Sequence, residues 1–391
     1  MHIRTIFWLL FGLNLLNYID RQVLYAIFPL VQVDLSLTDG QLGLLASVFI
    51  FAYLCFAPFV GYFADRTSRP KWLGANALLW SAATLVCGCA HYFGSLLAAR
   101  VGVGMGEAGF TTVAQPFLAE KYPLEKRATV LALFGLGMPL GGALGYMLGG
   151  VLGMHWGWRS AFMLVGIPGV IIGTLVWLKV PEHRQVVTRQ AAPQWKEYKA
   201  LFKNKPFVWL CLAHAAITFI IGGLSAWMPM YLHRYFNFDV AKAGTIFGAL
   251  VVVCGAVGTY VGGKMADRWG KIGPKGYFKV ITAALLLFLP PALLGLHAAH
   301  AGLALFCFAC AIGCIFIPTG PVAAALVALT PTTVRAMAFA VNIFIIHLLG
   351  DALSPWLIGS VSEGHTLRFA LSLVCLAAMG GLVCLQVAKR G

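Results

Sequence analysis

The sequence predicts an all-α integral membrane protein of twelve transmembrane helices arranged as two six-helix repeats. Three observations carry this expectation. Of 391 residues, 60% are hydrophobic and only 10% charged, whereas a soluble domain carries about 25% charge. Long apolar runs follow one another, each sufficient to cross a hydrocarbon core that takes about 20 helical residues, because lipid leaves the backbone no partner outside its own segment. Finally, short motifs of the first half return in the second. Together these exclude a disordered chain, a disulfide-stapled secreted fold and a nucleic-acid-binding domain.

Reading apolar runs between charged or Pro/Gly breaks places the twelve helices in order at 4–31, 40–64, 71–92, 94–119, 125–153 and 159–180, then 206–233, 241–265, 276–297, 300–329, 332–359 and 366–388. The first run begins after His2 and Arg4 like a signal peptide. It is too long for one, contains Asn14, Asn17, Asp20 and Arg21, and lacks a small-residue cleavage site, so it is read as the first helix. The repeat is visible in two places. Gly61-Tyr-Phe-Ala-Asp65-Arg66, after helix two, returns as Gly263-Lys-Met-Ala-Asp267-Arg268 after helix eight. Pro123-x-x-x-Arg127-Ala128, opening helix five, returns as Pro331-x-x-x-Arg335-Ala336, opening helix eleven. Parallel six-helix repeats are one way in which secondary transporters place a substrate site between two rocking halves.

The domains expected are an N-terminal six-helix bundle over 1–180, a cytoplasmic amphipathic linker over 181–205, and a C-terminal bundle over 206–391. In the linker, Trp195, Tyr198, Leu201 and Phe202 recur at helical spacing while Lys196, Lys199 and Lys203 occupy other faces. A plain solvated connector explains so short a run equally well. The formal net charge of +15 resolves into topology. Most Lys and Arg fall in the linker and on its side of the membrane. Only Arg159, Arg234, Lys242 and Arg368 fall on the other, and Arg21 and Arg100 lie inside helices. Basic residues accumulate on the cytoplasmic side, so both termini are expected there, in a cell membrane. The charge attracts anionic headgroups rather than nucleic acid.

The ten cysteines all fall within predicted spans. Cys307-x-x-Cys310-x-x-x-Cys314 has no second Cys/His group at zinc-ligand spacing, so it reads as small apolar packing and no metal site is expected.

Ionisable residues inside the membrane are informative, because each costs at least about 2.5–3.5 kcal/mol at a helix centre and therefore faces a cavity or a partner. Asp20, Arg21, Arg100, Glu107 and Asp351 qualify. Asn14, Asn17, Tyr18 and Arg21 share one stripe of helix one, with Asp20 three beyond Asn17. Arg100 and Glu107, seven apart on helix four, share a face roughly 10.5 Å apart along the axis. Two acids and two bases balance one another, and protonating either acid leaves a positive site. The plain alternative is a pair of fixed ion pairs holding helices together, although buried pairs contribute little net stability. Glu107, two turns from Arg100, is expected to be the less firmly paired acid. On helix eleven, Asn342, His347 and Asp351 form a possible second polar site, to which His214 on helix seven also belongs. A proton or substrate site and a satisfied interhelical hydrogen bond explain it equally well. Gly102-x-Gly104-x-Gly106 follows no strand, so it reads as close helix packing, not a nucleotide loop. Gly135-x-Gly137-x-Pro139-x-Gly141-Gly142-x-x-Gly145 adds a proline able to kink helix five.

The residues that close the halves would be Asp65, Arg66, Arg69, Glu120, Asp267, Arg268 and Arg335. A carboxylate beyond helix two or eight can cap a neighbouring helix start, and Thr332 after Pro331 offers one. Arg66 or Arg69 can reach Glu120.

Gly61-x-x-x-Asp65-Arg66-x-x-Arg69-x-Lys71 resembles the loop motif of the major facilitator superfamily, except that Ser68 stands where glycine is usual. Asn17-Tyr-Ile-Asp-Arg21, Ala57-Pro58-x-x-Gly61-Tyr62-x-x-Asp65-Arg66, Arg100-x-Gly-x-Gly-x-Gly-Glu107-Ala108 and Met138-Pro139-x-Gly141-x-x-Leu144-Gly145-Tyr146 are similar to its Spinster branch of lipid transporters. The second half resembles that branch much less. The resemblance implies transport of a lysophospholipid or sphingoid-type lipid, with Asp20, Arg21, Arg100 and Glu107 as polar and proton-coupling cluster. Organic-anion:proton symporters share the Tyr-x-Asp-Arg and Gly-Glu-Ala elements and are the alternative.

The expectation is thus a monomeric secondary transporter of an anionic amphiphile, working by alternating access with its cavity between helices 1, 4, 7 and 10. Asn14, Asn17 and Tyr18 would join Asp20, Arg21, Arg100 and Glu107 in binding substrate, with Asp20 and Glu107 exchanging protons as coupling ion and no other cofactor. An intramembrane enzyme using His214 or His347 as base is the remote alternative, since no nucleophile or metal pair accompanies them.

Overall fold

The computed structural model describes residues 2–64, 66–181, 199 and 201–390. Asp65 and most of the expected linker, Trp195, Lys196 and Tyr198 included, lie outside the described residues. Of the linker, residues 199 and 201–203 are helical, with Leu201 buried and Phe202 exposed.

The first half contains α1 (Ile3–Ala26), α2 (Phe28–Leu35), α3 (Asp39–Ala64), α4 (Arg69–Gly88), α5 (Phe93–Lys121), α6 (Leu124–Gly135), α7 (Gly137–Trp156) and α8 (Trp158–Lys179). The second contains α9 (Lys205–Phe236), α10 (Val240–Trp269), α11 (Pro274–His297), α12 (Ala301–Phe316), α13 (Thr319–Leu329), α14 (Arg335–Ile346), α15 (Ser354–Gly364) and α16 (Leu367–Arg390). These helices fall on the twelve predicted spans. Four spans are interrupted: α1 from α2, α6 from α7, α12 from α13, and α14 from α15.

Proline accounts for the breaks, since it lacks an amide donor and clashes with the preceding turn. Pro29 opens α2, Pro139 lies in the first turn of α7, and Pro318 precedes α13. Between α14 and α15 the chain forms a π turn, His347–Asp351, in which the Ala352 amide donates to the His347 carbonyl at 3.0 Å. Pro355, in the first turn of α15, has no amide to offer the Asp351 carbonyl. The fifth predicted span of each half is therefore broken near its middle, at Leu136 and at His347–Asp351.

Among the described residues, nine helical spans, three of them running across the breaks between α6 and α7, α12 and α13, and α14 and α15, are long and apolar enough to cross a membrane. Those that fail the test include α1 and α5, which carry Asp20, Arg21, Arg100 and Glu107. The polar residues that make these helices interesting also dilute their apolar character.

The chain divides into two compact units. The first comprises the described residues of Met1–Thr188 with Ala226–Gly248; the second, those of Arg189–Ser225 and Ala249–Gly391. The second half thus lends part of α9 and α10 to the first unit. In that unit Arg234 donates to both oxygens of Asp39, Nη1 to Oδ2 at 2.7 Å and Nη2 to Oδ1 at 2.5 Å, and to Gln32 Oε1 at 2.8 Å. Phe28 also meets Trp227, and Tyr146 meets Phe247, edge to face.

Helix approach in the first unit depends on missing side chains. A Cβ at Gly104 of α5 would strike the Phe49 carbonyl of α3, and one at Gly145 of α7 would lie 2.6 Å from the Ile19 carbonyl of α1. These contacts set α5 against α3 and α7 against α1, and small residues at helix crossings are how lipid-embedded helices pack closely. The expectation that the glycine-rich stretches pack helices agrees with this geometry. In the second unit, Asn204 Nδ2 donates to the Leu329 carbonyl at 3.0 Å and Lys389 Nζ to Thr282 Oγ1 at 3.0 Å. All ten cysteines are free.

Candidate functional site: a buried charge cluster between α1, α3, α4 and α5

In the first unit, α1 presents Asp20 and Arg21 to α5, which presents Arg100 and Glu107. The four charges pair crosswise. Arg21 Nε donates to Glu107 Oε2 at 2.6 Å, whereas Arg100 Nη1 stands 3.8 Å from Asp20 Oδ1. The expectation that Glu107 is the less firmly paired acid is therefore corrected: helical spacing along α5 separates it from Arg100, but α1 delivers a guanidinium directly to it. Asp20 has the looser ion pair and is instead bound by Thr84 of α4, whose hydroxyl donates to Oδ2.

The arginines differ in surroundings. Arg100 is completely buried, while 16% of the Arg21 side chain is exposed. Arg21 Cζ lies 5.1 Å from the ring centroids of Tyr18 and Phe49 and 5.3 Å from that of Tyr53. Arg100 Cζ lies 4.8 Å from the Phe49 ring. A guanidinium stacks well on such rings because it is planar and weakly hydrated. Tyr53 is fixed in turn by Thr111 of α5, oxygen to oxygen at 2.7 Å.

The other predicted residues fall around this cluster. Asn14 donates through Nδ2 to the Phe134 carbonyl at 2.8 Å, beside the break between α6 and α7. Asn17 is fully buried, and neither its Nδ2 nor its Oδ1 has a hydrogen-bond partner among the described residues. The same holds for Asp20 Oδ1, Glu107 Oε1 and all three guanidinium nitrogens of Arg100. Buried polar groups are normally satisfied, and clusters of exceptions mark functional sites.

Phe49, Tyr53, Thr84 and Thr111 were not singled out by the sequence. The available signal was the i, i+4 spacing of Phe49 and Tyr53, which does not stand out among 27 Phe and 12 Tyr.

The residues expected at the closing loops fare differently. Arg69 pairs with Glu120. Arg66 does not: its Nη1 donates to the Tyr62 carbonyl at 2.8 Å while its Cζ lies 3.4 Å from the Tyr62 ring centroid. Arg335 Nη2 reaches the Val327 carbonyl at 3.4 Å. Asp267 and Arg268 are exposed, and Asp65 lies outside the described residues. In the second unit the expected polar group assembles: His214 Nδ1 meets the Asn342 side-chain amide at 3.2 Å, and His347 Nδ1 meets both Asp351 oxygens, at 2.9 and 3.0 Å.

The family model described as Major Facilitator Superfamily matches residues 10–385. The chain belongs to that superfamily, in its Spinster-like branch. The sphingosine-1-phosphate transporter SPNS2 of Mus musculus is 32% identical over 375 residues, 90% of this chain and 68% of that protein. Protein spinster homolog 1 of Bos taurus is 30% identical over 415 residues, 96% of this chain and 79% of that protein. In fold, the chain is similar to a bacterial homolog of the human lysosomal transporter Spinster, solved in an inward-facing, occupied conformation. The TM-score is 0.88 at 22% identity, over 99% of this chain and 97% of that one. A major facilitator protein is a transporter of twelve helices in two repeats, so the chain is a multi-pass membrane transporter and the enzyme reading of His214 or His347 is set aside.

Proposed function

We propose that this transporter moves an anionic amphiphile, a lysophospholipid or sphingoid-type lipid phosphate, by proton-coupled alternating access. One observation carries the proposal. Arg21 is the accessible guanidinium of the cluster, stacked among Tyr18, Phe49 and Tyr53, and a single 2.6 Å contact to Glu107 neutralises it. A guanidinium fork grips phosphate or carboxylate with two donors. Protonating Glu107 removes its competing charge and leaves Arg21 for the incoming headgroup. Proton and anion then bind together, and neither enters the low-dielectric site with an uncompensated charge. The named cargo of the SPNS2 relative, sphingosine-1-phosphate, has such a headgroup.

Glu107 is chosen over Asp20 because its proton frees Arg21, whereas a proton on Asp20 frees Arg100, which is wholly buried. Asn17, Tyr18 and Asn14 line the same stripe of α1 and would orient the headgroup. The lysine-rich face orients the protein with both termini cytoplasmic, as a monomer in a cell membrane.

Reconstitution in liposomes tests this. A panel of lysolipids, a sphingoid phosphate and short organic acids is offered with and without an imposed pH gradient. Accumulation of a lipid phosphate that rises with the gradient is expected. Accumulation of short organic acids alone would replace the lipid reading by an organic-anion:proton symporter, and a flux indifferent to pH would remove the coupling.

A further inference from the structure

The second unit holds an ionisable cluster that the site above does not use. The π turn His347–Asp351 brings His347 and Asp351 onto one side, where Nδ1 bridges both carboxylate oxygens at 2.9 and 3.0 Å. Gly350 leaves helical geometry within the turn, at φ −98° and ψ −105°. About a quarter of each side chain, 27% and 21%, stays exposed in a span that is otherwise among the long apolar ones. A π turn within an α-helix costs hydrogen-bond quality and occurs disproportionately at functional positions. An ionisable pair at membrane depth is itself expensive.

The surroundings are built to meet this turn. A Cβ at Gly222 of α9 would strike the Asp351 Cβ and lie 2.8 Å from its Cα, so the glycine lets α9 approach. Gly350 in turn faces Thr218 of α9, where a Cβ would lie 3.0 Å from that of the threonine. The titratable group facing the pair from α9 is His214, which interacts electrostatically with His347 and is held by Asn342 of α14. From α15, Ser354 is fully buried, and its Oγ has no hydrogen-bond partner among the described residues. The hydroxyl lies beside Gly222, 3.2 Å from where its Cβ would be, on the same surface that Asp351 occupies.

We propose that His347 and Asp351 form a second proton-binding site, independent of Glu107, that takes up one proton as the pair passes from a bare carboxylate with a neutral ring to a neutral couple. Before uptake the Nδ1–H donates to the bare carboxylate. The added proton ends on the Asp351 carboxyl, which then donates to Nδ1 while the neutral ring keeps its proton on Nε2, and it cancels the only formal charge of the pair. A second proton would leave a net cation beside His214. A proton fits this geometry better than a metal ion, because no group of three His, Cys, Asp or Glu converges among the described residues and zinc sites take three or four protein ligands. The proposal does not rest on the identity of the cargo.

Infrared difference spectroscopy of the full chain in liposomes, between alkaline and acid pH and without any cargo, is the test. A carboxyl stretch that appears on acidification is expected in the unmodified protein, is shifted by carbon-13 labelling of aspartate, and survives Glu107→Gln. Asp351→Asn should delete it. In His347→Gln it should remain, with its midpoint moved, because the ring nitrogen that shares the proton with the carboxyl is gone. An aspartate-insensitive spectrum in the unmodified chain overturns the proposal, whatever the variants do. An unmoved midpoint in His347→Gln, or an unchanged spectrum in Asp351→Asn, overturns it too. Since no cargo is present, a failure of the lipid reading leaves these outcomes intact.

Discussion

Arg21 and Glu107, 86 residues apart in sequence, meet at 2.6 Å with the guanidinium stacked among Tyr18, Phe49 and Tyr53. Lysine retains the charge but loses both the planar fork and the stacking. Arg21→Lys is therefore expected to weaken binding of an anionic lipid by about tenfold or more, ~1.4 kcal/mol, while a neutral amphiphile of the same chain length binds nearly as before. Equilibrium binding of the two lipids by the purified protein measures this. Equal losses for both would mean that Arg21 shapes the site without gripping the headgroup.

Arg100 behaves differently, because it is closed off from solvent and stands 3.8 Å from Asp20. Removing one member of a buried pair strands the other, at roughly 3–5 kcal/mol. Arg100→Met should lower the thermal unfolding midpoint sharply, and adding Asp20→Asn should restore much of the loss, since both charges are then gone. If the double variant melts no higher than Arg100→Met, the two residues are not energetically coupled.

The twelve spans were legible because a run of about 20 apolar residues has few other uses, and the four charges because an ionisable group in such a run is rare. Their pairing was not legible. Helical periodicity places residues on faces of one helix, but interhelical register depends on contacts such as Gly104 against the Phe49 carbonyl and Gly145 against the Ile19 carbonyl. That register gave Glu107 the close partner and Asp20 the distant one. The breaks were only partly readable: Pro139 signalled the interruption at Leu136, whereas the π turn depends on a missing amide at Pro355 and on Gly350 meeting Thr218. The acids Asp34 and Asp39 carried a usable signal, since they fall at span ends on the face where Arg159 and Arg234 are the scarce bases, and both pairs form.

Asp34 gives a prediction outside the membrane. Hydrogen bonds from Arg159, at 2.7 Å, and from Trp158, at 3.1 Å, hold its carboxyl below the usual carboxylate range. A carboxyl whose value is depressed by folding stabilises the protein above the unfolded value, about 3.9, and ceases to do so as pH falls through the folded value. Because 45% of the side chain is exposed, the contribution is less than about 1 kcal/mol. Asp34→Asn should melt slightly below the wild type at pH 6, with the gap closing as the pH falls below the unfolded carboxylate value and through the depressed folded one. A gap that persists in strong acid would assign the effect to something other than this charge.

The last prediction concerns the proton. With Glu107 ionised, Arg21 is neutralised within the protein; with Glu107 protonated, the partly exposed guanidinium is left without its compensating charge. Glu107→Gln fixes the second condition without a titratable proton, and the amide is close in size to the protonated acid. Binding and exchange of the anionic lipid should therefore persist, while the response of net flux to a pH gradient disappears. Asp20→Asn should not reproduce this, because it releases Arg100, which no headgroup reaches from the exposed side. Liposome flux decides between them in one comparison. Gradient-driven accumulation that survives in Glu107→Gln would take the coupling role from Glu107, and its loss in Asp20→Asn alone would give that role to the acid held by Thr84.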